Sequence, residues 1–388
     1  MEAIYIAAAK RSPIAKLNGA FAGMSAADIG SQVIRALLDE TAIDPGTLDE
    51  VLMGQVLQGG TGQNPARQAA MAAGVPSHVP AMTLNMVCGA GQRSIHLAAQ
   101  AIKAGDVGLL IAGGQDSMTD APHFVRARAA RRPGDVKAKD MMITDGLWDV
   151  FNDIHMGATV EHLARKYQIT RDEQDLFALT SQTKAKVACA AGHFQAEIAP
   201  IRVPGTQEPV REDEHPQPDT TLARLAGMRP AFAPDGTITA GNASGLNDGA
   251  SAVLVGSERR LRALGLEPLV RIVSYASAAL DPMDMGLGPA FASRRALDLA
   301  GWRSDDLDLL EINEAFAAQA IAVNREMGWD PDRINPGGGA IALGHPLAGS
   351  GNRIVVTLIH HMIRMNKRKG LASLCIGGGQ GVAICLER

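Results

Sequence analysis

Apolar residues in this chain recur in two alternating rhythms. Runs such as "EVLMGQVL" (50–57) and "VGLLIAGG" (107–114) are short and nearly continuous, as buried strands are. Runs such as "AADIGSQVIRALLDE" (26–40) and "QRSIHLAAQAIKAG" (92–105) space their apolar residues three or four apart, as helices do. The alternation predicts an α/β fold with helices covering the faces of a sheet. The opening residues, "MEAIYIAAAKRSPIAKLNG", read as a first strand rather than a secretory leader.

The rhythm then repeats. "LDEVLMGQVL" has a counterpart in "LDLLEINEAF", "NMVCGAGQRSI" in "IALGHPLAGSGNRIV", and "LLIAGGQDS" in "SLCIGGGQGV". Matching Cys88 to His345 gives an offset near 257 residues, and the pattern predicts a duplicated α/β unit whose halves pack face to face. Strand–glycine–helix units are also common to all α/β proteins.

Between the halves, from Thr119 to Leu246, the pattern changes. A basic run holds Arg126, Arg128, Arg131, Arg132, Lys137 and Lys139, a pair of helices follows, and "VPGTQEPVREDEHPQPDTT" is irregular and acidic. The segment reads as an insertion carrying ligand contacts. The basic run suits phosphates or an oligomer partner, or is simply a solvated loop.

Composition narrows the class. With 388 residues, 46% hydrophobic and 20% charged, the chain is globular and large enough for two or three packed units. A net charge of −4 gives no global attraction to nucleic acid or anionic membranes, and no stretch approaches the roughly 20 apolar residues of a membrane span. Cys88, Cys189, Cys375 and Cys385 are too dispersed for a disulfide framework or a zinc ribbon. The expected setting is reducing and cytoplasmic.

Cys88 carries the first candidate chemistry. It precedes two glycines and a helix, where first-turn amides and the helix dipole favour thiolate and depress the thiol pKa. Gly89 and Gly91 leave room for a carbonyl to approach backbone donors. By itself the residue also fits an inert small hydrophobe. His345, in a Gly-His-Pro turn at the repeat position taken to match Cys88, is a candidate base, or else a cap of its own turn. Cys375 ends an apolar strand before three glycines and suits proton exchange, unless it is simply buried, as Cys189 and Cys385 are expected to be. Asn313 at a strand end either orients a water or caps the next helix.

Together "NMVCGAGQRSI", "GGQDSM", "HMGATVEHLA", "TAGNASGLNDGA", "INEAFAAQA", "GGAIALGHP" and "CIGGGQG" resemble the thiolase family, in its short-chain acetyltransferase branch, along the whole chain. The resemblance implies an α/β thiolase fold of two βαβαβαββ halves with an inserted loop domain that binds coenzyme A. The corresponding boundaries are 1–118 with 247–268, then 119–246 for the loop domain, and 269–388.

It further implies a reversible, ping-pong Claisen condensation of two acetyl-CoA to acetoacetyl-CoA and CoA. Cys88 is then the acylated nucleophile, and His345 activates it. Asn313 holds a water that completes one oxyanion hole with His345. Cys375 exchanges protons, and the amides of Cys88 and Gly377 form the second oxyanion hole. Leu147, His155, Met156, Ser244, Met285 and Phe316 line the pantetheine and acyl pocket. Coenzyme A enters as substrate; no metal, redox cofactor, nucleic acid or membrane partner is implied. The family points to a homodimer or homotetramer, with the basic loop as a tetramer contact, and to a place in lipid metabolism.

Two departures stand out. Gln217 replaces a basic residue that contacts a CoA phosphate in some relatives, and Asp116 stands where glutamate is usual. The alternatives are a degradative 3-ketoacyl-CoA thiolase for longer chains, a β-ketoacyl synthase-like condensing enzyme, and a non-catalytic lipid carrier. The last two fit poorly with Cys375 and with the complete set of Cys88, Asn313, His345 and Cys375.

Overall fold

The computed structural model describes residues 2–129 and 135–388; Arg131 and Arg132 of the basic run lie outside them. Its first half runs β1 (Ile4–Arg11), α1 (Ala26–Thr41), β2 (Glu50–Gly54), α2 (Pro65–Ala72), β3 (Ala81–Leu84), α3 (Ala90–Ala104), β4 (Leu109–Ser117) and β5 (Asn247–Ser257). The second runs β6 (Val270–Ala279), α6 (Gly288–Ala300), β7 (Leu309–Ile312), α7 (Ala317–Met327), α8 (Leu347–Arg364), β8 (Lys369–Ile376) and β9 (Gln380–Glu387). The counterpart of β3 shrinks in the second half to a single parallel bridge between Leu310 and Ile334.

The strands lie side by side in the order β7-β8-β9-β6-β1-β5-β4-β2-β3. Short antiparallel pairing of Tyr5 with Arg271 and Ile6 with Val270 joins the two half-sheets. Apolar faces then dictate the layering. Ile95 and Ile102 of α3 and Ile354, Val355 and Leu358 of α8 share one core with Val253, Leu374 and Ile384 from both half-sheets. Ile29, Val33 and Leu37 of α1 cover the outer face of the first half with Ile111 and Leu254, and Ala292 and Leu297 of α6 cover that of the second with Leu310 and Leu371. The result is five layers, α/β/α/β/α, with α3 and α8 buried in the middle.

The duplication is visible in individual hydrogen bonds. Asp49 accepts the amides of Gly108 and Leu109 at 2.7 and 2.9 Å, and Asp308 accepts those of Arg368 and Lys369 at 3.0 and 2.9 Å. These pairs set the repeat near 260 residues rather than 257. The counterpart of Cys88 is therefore Ala348, and His345 corresponds to Asn85. The match of Gly-rich strings drew the alignment three residues out of place.

Residues 119–246 include α4 (Met156–Lys166) and α5 (Arg171–Ala190), the expected helical pair. A reciprocal Thr170–Glu173 capping box starts α5. The acidic segment is tied to the first strand. Asp213 pairs with the fully buried Arg11 of β1 at 2.6 and 2.9 Å, and Arg11 also bonds Glu197. Glu214 accepts the amides of Lys16 and Ala20. These carboxylates dock the segment onto the first strand, because a buried guanidinium needs paired acceptors. Cys189, expected to be buried, is exposed on α5, whereas Cys375 and Cys385 are buried.

Candidate active site

The starts of the two central helices place two turns against each other. Before α3, Val87 adopts φ +45°, a costly conformation for a β-branched residue, and Cys88 follows it at the helix entrance. At the entrance to α8, His345 is held by its own amide, which donates to Asn247 Oδ1 at 2.9 Å. Its Nδ1 lies 2.5 Å from Ser350 Oγ, one turn into the helix. With Nδ1 engaged, Nε2 is the ring nitrogen left free to act.

A cavity of about 390 Å³ opens between these turns. Cys88, His345, Cys375 and Gly377 all line it, as do Leu147, His155, Met156, Ser244, Met285 and Phe316. Gly377 lines the cavity beside Cys88, and its backbone amide, with that of Cys88 itself, favours the charged form of the thiol. Asn313 is set apart from this group. It is fully buried just past β7, its side-chain nitrogen and oxygen have no partner among the described residues, and its near neighbours Ala315 and Phe316 form the wall. The helix that follows starts at Phe316 without a side-chain cap, so Asn313 is not a capping residue.

Electrostatics correct one expectation. Burial pushes the Cys88 thiol up to about 12, with Asp116 adding to the rise, and the two amide donors offset only part of it. The resting residue is a thiol, not a helix-stabilised thiolate, because Cys88 stands outside the helix cap in an apolar enclosure. Burial, aided by Arg353, lowers His345 to about 4, so the imidazole is neutral at pH 7. Burial also raises Cys375, with the neighbouring Cys88 contributing. The site therefore rests as two thiols and a neutral imidazole, with a proton acceptor available beside a proton donor.

Several contributors escaped the sequence reading. Met118, Phe232, Thr239, Leu246 and Leu347 also line the cavity, and Phe232 stacks on His155 with ring centroids 4.7 Å apart. His155 Nδ1 accepts the Gly157 amide at the start of α4. Asp116 accepts the amides of Val56, Leu57 and Ala348, tying the loop after β2 to the first turn of α8. Its carboxyl is pushed up to about 7, chiefly by burial. Ser350 had a readable sign, its place in the first turn of the helix that follows His345.

This architecture, a duplicated α/β unit with a cysteine and a histidine at facing helix entrances, is that of an acyl-transfer scaffold. The chain belongs to the thiolase family: residues 4–259 match the thiolase N-terminal domain and residues 266–388 the thiolase C-terminal domain. It is 56% identical to an acetyl-CoA acetyltransferase of Pseudomonas aeruginosa and 53% identical to one of Cupriavidus necator, over all of each chain. Among solved structures, it resembles the acetyl-CoA acetyltransferase of Bacillus anthracis with a TM-score of 0.97 at 41% identity, covering 100% of this chain and 99% of that one. It also resembles human mitochondrial 3-ketoacyl-CoA thiolase in complex with CoA, with a TM-score of 0.96 at 41% identity, covering 100% and 98%.

Proposed function

We propose that this chain is an acetyl-CoA acetyltransferase, condensing two acetyl-CoA to acetoacetyl-CoA and CoA and running the same steps in reverse. The observation that carries the reading is the meeting of Cys88, His345, Cys375 and Gly377 on one cavity. Names of full-length relatives at more than 50% identity support the same activity.

In this reading His345 Nε2 takes the Cys88 proton, and the thiolate attacks the carbonyl of the first acetyl-CoA. The amides of Cys88 and Gly377 hold the oxyanion, and one such donor is worth roughly 3–4 kcal/mol. As the intermediate collapses, the CoA sulfur leaves with the proton of Cys375. Acetyl-Cys88, a Cys375 thiolate and a His345 imidazolium remain. The thiolate then removes a methyl proton from the second acetyl-CoA. The enolate oxygen is held by His345 Nε2–H and a water on Asn313, whose unpartnered amide fits that task. Carbon attacks the thioester, Cys88 leaves, and His345 returns its proton; Cys375 is again a thiol, so protons balance.

We assign residues 119–246 to CoA binding, with Ser244 toward the pantetheine and Gln217 leaving one phosphate contact unfilled. The chain functions as a homodimer or homotetramer, with Arg126 and Arg128 in the tetramer contact. The short-chain preference is supported by Met156, Met285, Ala315 and Cys375, which share one core cluster and line the cavity.

The deciding assay is cleavage of acetoacetyl-CoA by free CoA beside cleavage of a longer 3-ketoacyl-CoA. Fast four-carbon thiolysis with poor long-chain turnover is expected. A long-chain preference moves the assignment to a degradative thiolase. No cleavage of either, or retained turnover in Cys88→Ala, overturns the reading.

A further inference from the structure

The carboxylate of Glu314, one residue beyond Asn313, is buried behind the wall of the site. Its Oε2 accepts the Ser181 hydroxyl at 2.7 Å and the Ile341 amide at 3.3 Å, and its Oε1 accepts Asn335 Nδ2 at 2.9 Å. These partners come from three segments. Ser181 belongs to α5, Asn335 follows α7, and Ile341 lies in the short helix Ala340–Leu343 that leads directly into His345.

Each partner is tied in again. Asn335 Oδ1 accepts the Ile312 amide at 2.8 Å and its Nδ2 donates to the Ile312 carbonyl at 2.8 Å, fixing the residue before Asn313 on both sides. Ser181 Oγ accepts the Gly339 amide at 3.0 Å. A side chain at position 339 would put its Cβ 2.2 Å from the Glu314 carboxyl carbon, so glycine stands there because the carboxylate fills that space. The end of β7 and the approach to His345 thus converge on one carboxylate. A buried carboxylate is tolerated only where donors satisfy it, and three do.

We propose that Glu314 is a positioning residue that holds Asn313 and the His345 segment in mutual register. The proposal rests on the reading that these two groups share the enolate oxygen. Such sharing demands alignment to a fraction of an ångström, since a displacement of about 1 Å costs roughly 100-fold in rate. Glutamate rather than glutamine is needed, because an amide would turn one N–H₂ toward a donor that now finds an oxygen.

Glu314 also lines a second cavity, of about 480 Å³, together with Ser181, Lys184, Asn324, Trp329 and Asn335. Truncation to alanine therefore leaves a space that a small carboxylate can enter, and formate is the probe. The experiment measures thiolysis of acetoacetyl-CoA by Glu314→Ala and Glu314→Gln, normalised to Cys88 alkylated by iodoacetamide and counted by mass on its own peptide, apart from the exposed Cys189, beside thermal midpoints. The expected result is turnover per titrated thiol about 100-fold below wild type, with KM changed by less than about threefold. Formate, but not chloride at equal ionic strength, restores part of the Glu314→Ala rate.

Turnover per titrated thiol within about twofold of wild type in both variants overturns the proposal. So does a loss in Glu314→Ala that formate leaves unchanged, which marks a role in folding alone. Asn313→Ala in the same assay separates the two readings. If it is slow while the Glu314 variants are normal, only the positioning role fails; if it turns over normally, the role of Asn313 fails first.

Discussion

Gln92 and Asn352, neighbours at the crossing of the two central helices, make equivalent hydrogen bonds to opposite half-sheets. Gln92 Nε2 donates to the Ala372 carbonyl at 3.1 Å, and Asn352 Nδ2 donates to the Ala112 carbonyl at 3.1 Å. Each central helix thus reaches from its own half into the strand of the other. The backbones approach just as reciprocally: a Cβ on Gly91 would stand 2.3 Å from the Ala348 carbonyl oxygen, and one on Gly351 would stand 2.9 Å from the Cys88 carbonyl oxygen. The turns that hold Cys88 and His345 are brought together by this helix crossing.

Gly91→Ala therefore wedges the crossing open. Backbone atoms cannot move aside as a side chain can, and overpacking of this kind costs about 1–3 kcal/mol. Gly227→Ala is the control, because its Cβ would meet nothing nearer than 3.6 Å. Urea unfolding should show a lower midpoint for Gly91→Ala and little change for Gly227→Ala. Equal midpoints would mean that the crossing yields at small cost.

A second prediction concerns acid stability. His96 is fully buried, stacked on Tyr275 with centroids 4.9 Å apart, and neither ring nitrogen has a partner among the described residues. Burial, with a smaller push from Arg93, lowers its pKa to about 3 from an ordinary value of 6.5. A depressed histidine pKa means that the unfolded state takes up protons first, so this stability is intact above pH 6.5 and drains away as pH falls toward 3. At pH 5.5 the drain amounts to about 1.4 kcal/mol. His96→Phe keeps the stack and removes the titration. Its unfolding free energy should fall less than that of wild type between pH 7.5 and 5.5, by about that amount, whatever constant offset the larger ring adds. Parallel pH dependences would show that His96 is not held neutral.

Ser350 supplies a test of tautomer control. Its hydroxyl is the side-chain partner of His345 Nδ1. Without it the imidazole can protonate on either nitrogen and rotate, which lowers the fraction with a free Nε2 toward Cys88. Ser350→Ala should slow both Cys88 alkylation and thiolysis by about tenfold, a fraction of the roughly 100- to 10,000-fold that a general base contributes. Ser350→Thr, which keeps the hydroxyl, should recover much of the rate. An unchanged alkylation rate in the alanine variant would show that backbone packing alone orients the ring.

How much of this was legible beforehand follows a physical divide. Strands and helices were readable because α1, α3, β2 and β4 carry unbroken apolar periodicity; Cys88, His345 and Cys375 drew notice because they stand beside glycine-rich turns, and Asn313 because it is polar at the end of an apolar strand. The register of the duplication was misread because glycine strings align with one another almost anywhere, whereas the Asp49 and Asp308 hydrogen bonds that fix it lie outside those strings. The thiol's ionisation was misjudged because a helix entrance is a local feature, while desolvation depends on the whole enclosure. Glu314 and the pair of Arg11 with Asp213 were invisible as sites, and Asp116 stood out only by its residue type, because their partners lie far away in sequence. Only folding makes a buried carboxylate distinguishable from a solvated one.

In the proposed cycle, Cys375 separates the two half-reactions. Its thiol lines the cavity beside Cys88, and burial keeps it protonated at rest. In the proposed cycle it is needed once as an acid toward the departing CoA sulfur and once, as the thiolate left behind, to take a proton from carbon. A CoA thiolate leaves without much help, since its own pKa is near that of an ordinary thiol, whereas a methyl proton is removed only by a strong, well-placed base. Cys375→Ser should therefore still load an acetyl group on Cys88, seen as a mass increase on the peptide that holds it. Carbon–carbon bond formation and cleavage should slow by at least about 100-fold, because a serine hydroxyl gives up its proton far less readily than a thiol. Failure to acetylate at all would mean that Cys375 acts already in the first transfer, and full turnover would assign the carbon proton to another group, with His345 and His155 the candidates lining the cavity.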